Sequence, residues 1–387
     1  MVQILRNAKV FSPTPLGILD LVVAAGQIVW MGESLPEIDS RLIEEDRDLA
    51  AARVIPGLID CHVHLTGGGG ESGPASKVPP IPLSRFSRAG VTSVIGVLGT
   101  DDLTRNTASL VVAARGLIEE GLSAWCLTGG YHLPPTTLTG SVRGDITHID
   151  RIVGVGEIAI SDHRSSQPTL DELLRVAADA HVAGLMTGKA GLAHLHLGDG
   201  DRGLELVRQG LEVSEIPPRV FHPTHVNRRR ALFQEALELA SRGCVIDVTA
   251  FPAADAGEDE VSAVEAVETF LESDLPSANL TVSSDAGGSL PAFDGEGRVT
   301  RMDVGEPSEL WATVRALLLR DHSLESVLQP LTSNVAHQFR LASKGRIDVG
   351  ADADLLVLDD NDTITDVMAM GRWHIREGQL KIRGTFE

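Results

Sequence analysis

The chain has 387 residues, 43% of them hydrophobic, which is enough for one large folded domain or for one domain and a fraction. Its 33 Lys and Arg residues against 54 Asp and Glu residues give a formal net charge of −21. This charge argues against nucleic acid or an anionic membrane as a partner, because both bind basic surfaces.

The positions of the cysteines and the lengths of the apolar runs indicate where in the cell the protein is expected. Cys61, Cys126 and Cys244 lie far apart in apolar segments without a CxxC spacing, so we expect small buried thiols. The first residues lack the continuous apolar stretch of a secretion signal, and no apolar run approaches the ~20 residues of a membrane span. We therefore expect a cytoplasmic protein.

The two ends of the chain have the same character. Short segments of alternating polarity, broken by Gly and Asn, occur in residues 1–52 and again in residues 344–387, and they predict strands. We expect a small β-sandwich domain built from both termini, with a larger domain of residues 53–343 inserted between them.

The middle of the chain alternates short β-branched apolar segments with segments of helical period, such as 170–184, capped by Thr169, and 230–243. Strand and helix units in series predict an α/β fold, a (β/α)8 TIM-like barrel whose active site lies at the carboxyl ends of its strands. The eight predicted strands are 54–65, 92–99, 123–131, 152–160, 191–198, 219–226, 244–251 and 280–286.

Side chains of the metal-binding type fall at the ends of five predicted strands. His62 and His64 alternate on the first strand, so both imidazoles face the same side. Glu157 lies in the otherwise apolar segment IVGVGEIAI, where a carboxylate needs a charged partner, a proton or a polar cavity. The fifth, sixth and eighth strands add His194, His196, His222, His225 and Asp285.

Each of these residues also has a structural interpretation. Glu157 could be a neutral buried acid or could pair with Arg164, Asp285 could cap a turn, and at most one histidine of each later pair is expected to be a ligand. Together, however, four histidines and two carboxylates suit two divalent ions of the zinc type. Two ions, two carboxylates and one hydroxide leave a net charge of about +1, which would polarise a carbonyl.

Several motifs resemble those of a known family. VIPGLIDCHVHL, SSDAGG and ADADLLVLD resemble the amidohydrolase superfamily of metal-dependent barrels. More narrowly, HVHLTGGGGESGP, ISDHRS, PTHVNR and the final RGTFE look like isoaspartyl (β-aspartyl) dipeptidases, and the resemblance covers essentially the whole chain. It implies that a metal-bridging hydroxide hydrolyses the isopeptide bond of isoaspartyl dipeptides, in a homo-oligomer with an octamer as its candidate order.

The resemblance also implies the ligands of two metal ions, most simply Zn²⁺. Glu157 stands where the family usually has a carboxylated lysine, and we expect it to bridge both ions. Its carboxyl carbon lies roughly 3 to 4 Å nearer the backbone, so small Gly156 and Ala159 should let the strand approach. The first ion is expected on His62, His64 and Asp285, and the second on His196 and His225.

Further roles follow from the same resemblance. Asp285 would act as general base and acid, and Tyr131, the only tyrosine, would hydrogen-bond the developing oxyanion. The expected substrate-binding residues are Glu71 for the ammonium, Arg164 and Arg228 for carboxylates, and Thr100 and Ser289 as supporting donors.

Three other interpretations stay open. A cyclic-amide hydrolase of the dihydroorotase or hydantoinase type would not need Glu71 and both arginines. Deaminases of the superfamily usually use one metal and lack a bridging acid, so Glu157 disfavours them. A non-catalytic scaffold paralogue would have lost its ligands, and the retained histidines argue against that class.

Overall fold

The structure is a computed structural model that describes residues 1–251, 259–293 and 298–387. Its first five strands are β1 (Val2–Phe11), β2 (Pro15–Ala24), β3 (Gln27–Gly32), β4 (Ile43–Asp48) and β5 (Arg53–Pro56). Strand β1 pairs antiparallel with β2 and parallel with β4 and β5. The predicted strands of the N-terminal region are therefore confirmed.

Eight parallel strands follow: β6 (Leu58–Val63), β7 (Val91–Gly96), β8 (Ser123–Thr128), β9 (Ile152–Ser161), β10 (Leu192–Leu197), β11 (Phe221–Thr224), β12 (Ile246–Thr249) and β13 (Leu280–Ser283). Strands β6 to β11 form one sheet in chain order, and β12 pairs with β13. The sheet curls until Val63 bridges Ala286, which brings the last strand beside the first. This curled parallel sheet confirms the predicted α/β barrel architecture.

The helices lie between and after these strands. Helix formation over residues 170–187 illustrates the local causes, because Thr169 and Glu172 form a capping box and the face with Leu173 and Ala177 is buried. The helices are α1 (Leu83–Arg88), α2 (Thr107–Glu120), α3 (Val142–His148), α4 (Leu170–Thr187), α5 (Glu205–Val213), α6 (Arg230–Ser241), α7 (Ala263–Leu271), α8 (Ser308–Leu318), α9 (Leu324–Leu328) and α10 (Ser333–Gln338).

One predicted strand is divided in the structure. Residues 54–65 were expected to be continuous, but β5 ends at Pro56 and pairs in the terminal sheet, whereas β6 begins at Leu58 in the barrel. The break falls at Gly57, where an added Cβ atom would lie 2.2 Å from Thr92 Oγ1. The chain passes too close to Thr92 for any side chain, a tertiary contact that the apolar pattern does not contain.

Six further strands lie in the described residues: β14 (Ser289–Phe293), β15 (Val299–Val304), β16 (Leu355–Leu358), β17 (Ile364–Ala369), β18 (Arg372–Arg376) and β19 (Gln379–Leu380). Strands β16 to β19 join β1 to β5 in one nine-stranded sheet, through the antiparallel pair β16–β5. A sheet built from both termini is thus confirmed. Its packing as a sandwich and the domain limits 1–52, 53–343 and 344–387 stay predictions.

The core follows the apolar periodicity of the sequence. One buried cluster lies between the barrel strands and the outer helices, and a second fills the terminal sheet around Leu5, Leu21 and Leu355. The three cysteines are buried and free, as expected. Within the described ranges, no helix combines the length and the apolarity needed to cross a membrane.

Candidate metal centre

Six side chains of the metal-binding type converge at one end of the barrel. Five lie at or just beyond the carboxyl ends of β6, β10, β11 and β13, the sixth lies in the second half of β9, and all are buried. Parallel barrel strands end at one edge, so residues distant in sequence meet there. The six residues are His62, His64, Glu157, His196, His225 and Asp285.

Four ligand atoms of this cluster have the spacing of a metal site. The Nε2 atom of His62 is 3.5 Å from both Glu157 Oε1 and Asp285 Oδ1. The Nε2 atom of His64 is 3.5 Å from Glu157 Oε1 and 3.0 Å from Asp285 Oδ1. A tetrahedral ion with ligand distances of ~2.0–2.1 Å separates its ligands by roughly 3.3 Å. The four residues therefore fit one divalent ion.

The second carboxylate oxygen of Glu157 faces the other two histidines. Oε2 lies 2.9 Å from His196 Nδ1 and 3.5 Å from His225 Nε2. These three residues form a second group with metal-binding spacing, and His225 also has that spacing to His62 and Asp285. One glutamate thus presents a different oxygen to each of two ligand groups.

Buried atoms without partners support a cation at this position. Within the described part of the chain, His62 Nε2, Glu157 Oε1 and Asp285 Oδ1 are buried and accept or donate no hydrogen bond. Such atoms are costly to desolvate unless a charged group satisfies them. Imidazole nitrogens with carboxylate oxygens are a donor set that divalent transition metals bind, so the residues fit divalent metal ions.

The electrostatics of the cluster keep its carboxylates ionised. Burial by itself raises the pKa of Glu157, but His62 and His196 outweigh it and hold that pKa well below its usual range. Burial also opposes ionisation of Asp285, yet the contact with His64 helps to lower its pKa to about 2. In turn, burial lowers the pKa of His62, while Glu157 and then Asp285 overcompensate and raise it to about 9.

Three of the four imidazoles are held through the nitrogen that faces away from the cluster. His196 Nε2 is 3.0 Å from Asp162 Oδ2, and His225 Nδ1 is 2.7 Å from Thr249 Oγ1. His62 Nδ1 is 2.8 Å from His194 Nε2. A partner on the remote nitrogen fixes the ring orientation and leaves the other nitrogen available as a ligand.

Strand β9 approaches its neighbour closely just before Glu157. Gly156 has φ +145°, and an added Cβ atom would lie 2.6 Å from the carbonyl oxygen of His194 on β10. Only glycine is compatible with both the backbone angle and this distance. The contact agrees with the expectation that a small residue at 156 brings the short glutamate side chain to the cluster.

A pocket opens directly above the ligand cluster. Its walls include His64 and Asp285 of the cluster together with residues expected to bind substrate. An outer pocket shares Glu71 and Thr100 with it and adds His163, Arg164 and Arg298. The expected residues that line the inner pocket are Glu71, Thr100, Tyr131, Arg228, Asp285 and Ser289.

Glu71 is the acidic centre of the inner pocket. Its Oε1 atom accepts hydrogen bonds from Ser289 Oγ at 2.8 Å and Arg164 Nη1 at 3.0 Å, and Thr100 Oγ1 is 3.4 Å away. Its Oε2 atom is buried and has no hydrogen-bond partner among the described residues. One oxygen is therefore held in place while the other remains available to a positively charged group.

Arg164 does not pair with Glu157, which was one of the interpretations considered for that acid. Its guanidinium instead forms a bidentate contact with Asp162, at 3.0 Å and 2.7 Å, besides the contact with Glu71. Asp162 thus binds both Arg164 and the ligand-type residue His196. Sequence reasoning missed Asp162, although ISDHRS places it two residues before Arg164 at the end of β9.

Arg228 and Tyr131 also line the inner pocket. The guanidinium of Arg228 lies 5.5 Å from the ring centre of Phe251, and its Nε atom is buried without a partner in the described residues. The hydroxyl of Tyr131 is 2.9 Å from His196 Nδ1, which places it at the edge of the ligand cluster. The structure therefore brings every predicted site residue to one location, whereas their individual roles stay predictions.

Comparisons with known proteins agree with this architecture. A model of the amidohydrolase family matches residues 53–374. The crystal structure of a β-aspartyl dipeptidase from Fervidobacterium islandicum AW-1, in complex with the dipeptide β-Asp-Leu, is 42% identical with a TM-score of 0.92. That similarity covers 98% of this chain and 99% of the other.

More distant similarities are of two kinds. A dihydropyrimidinase from Brevibacillus agri NCHU1002 is 16% identical over 99% of this chain and 97% of its own, with a TM-score of 0.70, which shows the shared fold alone. The imidazolonepropionase of Cupriavidus metallidurans is 32% identical over 118 residues, or 29% of this chain. That match spans only 28% of the length of the imidazolonepropionase.

Proposed function

Because the chain belongs to the amidohydrolase family, and its resemblance to the isoaspartyl dipeptidases is confirmed, we propose that it hydrolyses the β-aspartyl bond of isoaspartyl dipeptides. The observation that supports this function is the set of residues that line the inner pocket. An acidic group with one available oxygen, Glu71, faces the same small space as Arg228 and the metal-ligand cluster. This arrangement suits an amino-acid head group whose side-chain amide reaches the metals.

The cofactor is a pair of divalent ions, most simply Zn²⁺, with Glu157 bridging them in place of a carboxylated lysine. The support is that Oε1 of Glu157 faces His62 and His64 while Oε2 faces His196 and His225. When bound, two such ions lower the pKa of a water molecule so that it can attack an amide carbonyl. A glutamate bridge needs no bicarbonate, unlike a carbamate.

Asp285 serves as general base and then as general acid. Its pKa of about 2 keeps the carboxylate ionised at neutral pH, so it can accept a proton from the attacking water. Asp285 lines the pocket next to His64, from which it can pass that proton to the departing amine. Without this transfer the amine would leave as an unstable anion.

Tyr131 donates a hydrogen bond to the carbonyl oxygen as negative charge develops on it. Burial, and after it the charge of Glu157, raises the pKa of the Tyr131 hydroxyl well above its usual value. The phenol is therefore protonated, and able to donate, throughout the neutral range. Removing one such donor costs about 10²- to 10³-fold in kcat.

The charged residues of the pocket bind the head group of the substrate. Glu71 binds the free α-ammonium, with Ser289 and Thr100 as supporting donors that hold the glutamate through Oε1. Arg228 and Arg164 bind carboxylates, for which a guanidinium has the matching bidentate geometry. Arg164 is already oriented by Asp162 and Glu71, so little side-chain entropy remains to be lost on binding.

The direct test compares β-Asp-Leu with α-Asp-Leu and with dihydroorotate as substrates of the zinc-loaded protein. We expect hydrolysis of β-Asp-Leu alone. Hydrolysis of dihydroorotate instead would favour a cyclic-amide hydrolase, release of ammonia would favour a deaminase, and inactivity of zinc-loaded protein on all substrates would favour the scaffold interpretation.

A second test asks whether Glu71 recognises the ammonium group. Glu71→Gln should lower kcat/KM for β-Asp-Leu by about 10²- to 10³-fold, because a buried charge pair is worth several kcal/mol. Acetylation of the substrate amine should cause a similar loss in the unchanged protein but little further loss in the variant. Two fully additive losses would exclude this contact.

A homo-oligomer and a cytoplasmic location are further parts of the proposal. Sedimentation of the purified protein tests the first, and an octamer is the order to look for. Fractionation of the source cells tests the second.

A further inference from the structure

Two buried histidines lie beneath the ligand cluster and belong to neither metal group. His194 precedes His196 by two residues on β10, and His222 is its register neighbour on β11. Both side chains are fully buried in the barrel interior. Sequence reasoning left them as ordinary hydrogen-bonding residues, yet their contacts form an ordered chain.

The chain of contacts runs from a ligand of the cluster to a buried carboxylate. His62 Nδ1 lies 2.8 Å from His194 Nε2, and His194 Nδ1 lies 2.9 Å from His222 Nδ1. His222 Nε2 is then 3.0 Å from Thr281 Oγ1, and the Thr281 hydroxyl donates to Asp247 Oδ1 at 2.6 Å. Each ring nitrogen of His194 and His222 therefore has one partner, and the Thr281 hydroxyl has Asp247 at 2.6 Å and the Ile246 carbonyl oxygen at 3.4 Å as acceptors.

Asp247 determines the direction of this chain. Besides Thr281, it accepts hydrogen bonds from Cys61 Sγ at 3.2 Å, Thr224 Oγ1 at 2.7 Å and Ser283 Oγ at 2.6 Å. A carboxylate that receives four donors is an acceptor and not a donor. The hydroxyl of Thr281 must point its proton to Asp247, so its lone pair faces His222.

Only one arrangement of protons satisfies the remaining links. His222 donates from Nε2 to Thr281 and accepts at Nδ1, so His194 carries its proton on Nδ1 and accepts at Nε2. His62 then keeps a proton on Nδ1, so Nε2, which faces Glu157 and Asp285, is the nitrogen at which a metal ion would replace a proton. The reverse arrangement would place a proton on His62 Nε2, where a metal ion would have to bind.

We propose that His194 and His222 are positioning residues, which transmit the acceptor character of Asp247 to His62 and keep its Nε2 lone pair directed at the metal ion held with His64 and Asp285. The proposal rests on the proposed function in one respect, namely that His62 is a metal ligand. Partners on the remote nitrogen of a metal-binding imidazole fix its tautomer and raise its basicity.

Thr281→Val tests the chain at a distance from the ligands. Valine cannot accept from His222, so the reversed proton arrangement becomes the better one, and a proton on His62 Nε2 competes with the ion. Binding of Zn²⁺ to the metal-free protein, followed by competition with a chromophoric chelator, should show about 10-fold weaker binding of one of two ions. The other ion, on His196 and His225, should bind as before.

Thr224→Val is the matched control. Thr224 is also fully buried and also donates to Asp247, at 2.7 Å, but it accepts from neither histidine. Both variants remove one hydrogen bond to the same carboxylate, so both should lose similar stability in chemical unfolding. If Thr281→Val weakened Zn²⁺ binding no more than Thr224→Val, the chain would have no positioning role.

Nitrogen NMR of histidine-labelled, zinc-loaded protein provides a readout that needs no substitution. We expect His194 in the Nδ1–H tautomer and His222 in the Nε2–H tautomer. The opposite tautomers would overturn the proposal whatever the protein hydrolyses. Conversely, the expected tautomers without hydrolysis of β-Asp-Leu would leave the positioning role intact and remove the proposed substrate.

Discussion

Two buried groups of charged side chains, at opposite ends of the barrel strands, are satisfied in different ways. At the junction with the terminal sheet, Lys344 Nζ lies 2.6 Å from Asp354, 3.0 Å from Asp352 and 2.6 Å from Ser123 Oγ. An ammonium group has three donors, and each has an acceptor within the chain. This junction is complete without any ligand.

At the metal centre, the described residues do not pair all of the buried polar atoms. Glu157 Oε1, Asp285 Oδ1 and His62 Nε2 lack hydrogen-bond partners in the part of the chain that the structure describes. Burial of such atoms is favourable only when another group supplies the missing charge. The comparison teaches that buried charge at the junction serves stability, whereas buried charge at the centre serves binding.

Distance should keep the two groups independent. Ser123 is the first residue of β8, and Tyr131 follows the end of the same strand at the metal centre. Six residues of a strand span about 20 Å. Perturbations at this separation usually add in free energy, so each group can be changed to test the other.

The largest expected effect is loss of activity in Glu157→Gln. The glutamine amide lacks the negative charge that faces both ligand groups. The variant should therefore bind much less zinc per chain than the unchanged protein. Because metal ions contribute several kcal/mol to the transition state, kcat/KM for β-Asp-Leu should fall by about 10³-fold or more. Elemental analysis and a dipeptidase assay measure the two quantities.

The control for this change is the stability of the protein without metal. Chelated Glu157→Gln should still unfold cooperatively, at a lower denaturant concentration than the chelated parent because His62 and His196 lose the carboxylate between them. Full activity with two zinc ions per chain would contradict the role of Glu157 as a ligand. Full activity with one ion would contradict only the bridge.

The reverse pattern is expected for Lys344→Met. Buried Asp354 and half-buried Asp352 lose their cation, so the free energy of unfolding should fall by about 3–5 kcal/mol, measured by denaturant titration. Turnover of β-Asp-Leu by the folded fraction should not change. Lys9→Met, at an exposed position, is the matched loss of a lysine and should cost almost nothing.

Removing zinc with a chelator tests whether the junction and the metal centre are independent. Removing zinc should lower the stability of Lys344→Met and of the parent by equal amounts, because bound ligand stabilises the native state in both. Unequal losses would mean that the junction and the metal centre communicate through the barrel.

The sequence could predict those features of the fold and the site that follow from the order and direction of the strands. Strands that run parallel end at one edge, so polar residues at their ends, such as His62, Glu157 and Asp285, could be assigned to a common site. Eight apolar segments in series likewise predicted the barrel. Gly57 shows the limit, because neither its close approach to Thr92 nor the change of sheet between β5 and β6 leaves a trace in the apolar pattern.

Contacts between side chains of different strands could not be predicted. The line from His62 through His194 and His222 depends on the register of β10 against β11 and on ring rotation, and period and composition specify neither. Lys344 illustrates the same point, since Asp352 and Asp354 are near in sequence but Ser123 is 221 residues away.

Another buried residue of the terminal sheet, His374 on β18, makes stability sensitive to acid. His374 is fully buried, with Nδ1 2.9 Å from Ser87 Oγ, and burial followed by the charge of Arg372 lowers its pKa to about 4. The unfolded chain, with a pKa of ~6.5, takes up a proton first. Stability should therefore be constant above pH 6.5 and decline by roughly 2–3 kcal/mol as pH falls to 4.

His374→Gln removes this titration. The difference in unfolding free energy between zinc-loaded parent and variant, followed from pH 7 to 4, cancels the acid-induced loss of metal that both proteins share. We expect the free energy of unfolding of the variant to rise relative to that of the parent as the pH falls. A difference that does not vary with pH would show that His374 is protonated equally in the folded and unfolded states.

The smallest expected effect is that of Ser123→Ala. Lys344 keeps both carboxylates and loses a neutral acceptor, so the free energy of unfolding should fall by only about 1 kcal/mol, with the same loss in zinc-loaded and chelated protein. Ser123 and the residues that precede Tyr131 share one strand, so this substitution is also the most direct probe of coupling along β8. If kcat/KM for β-Asp-Leu changed while stability did not, the strand would transmit strain to the pocket. The two groups of charged side chains would then depend on each other.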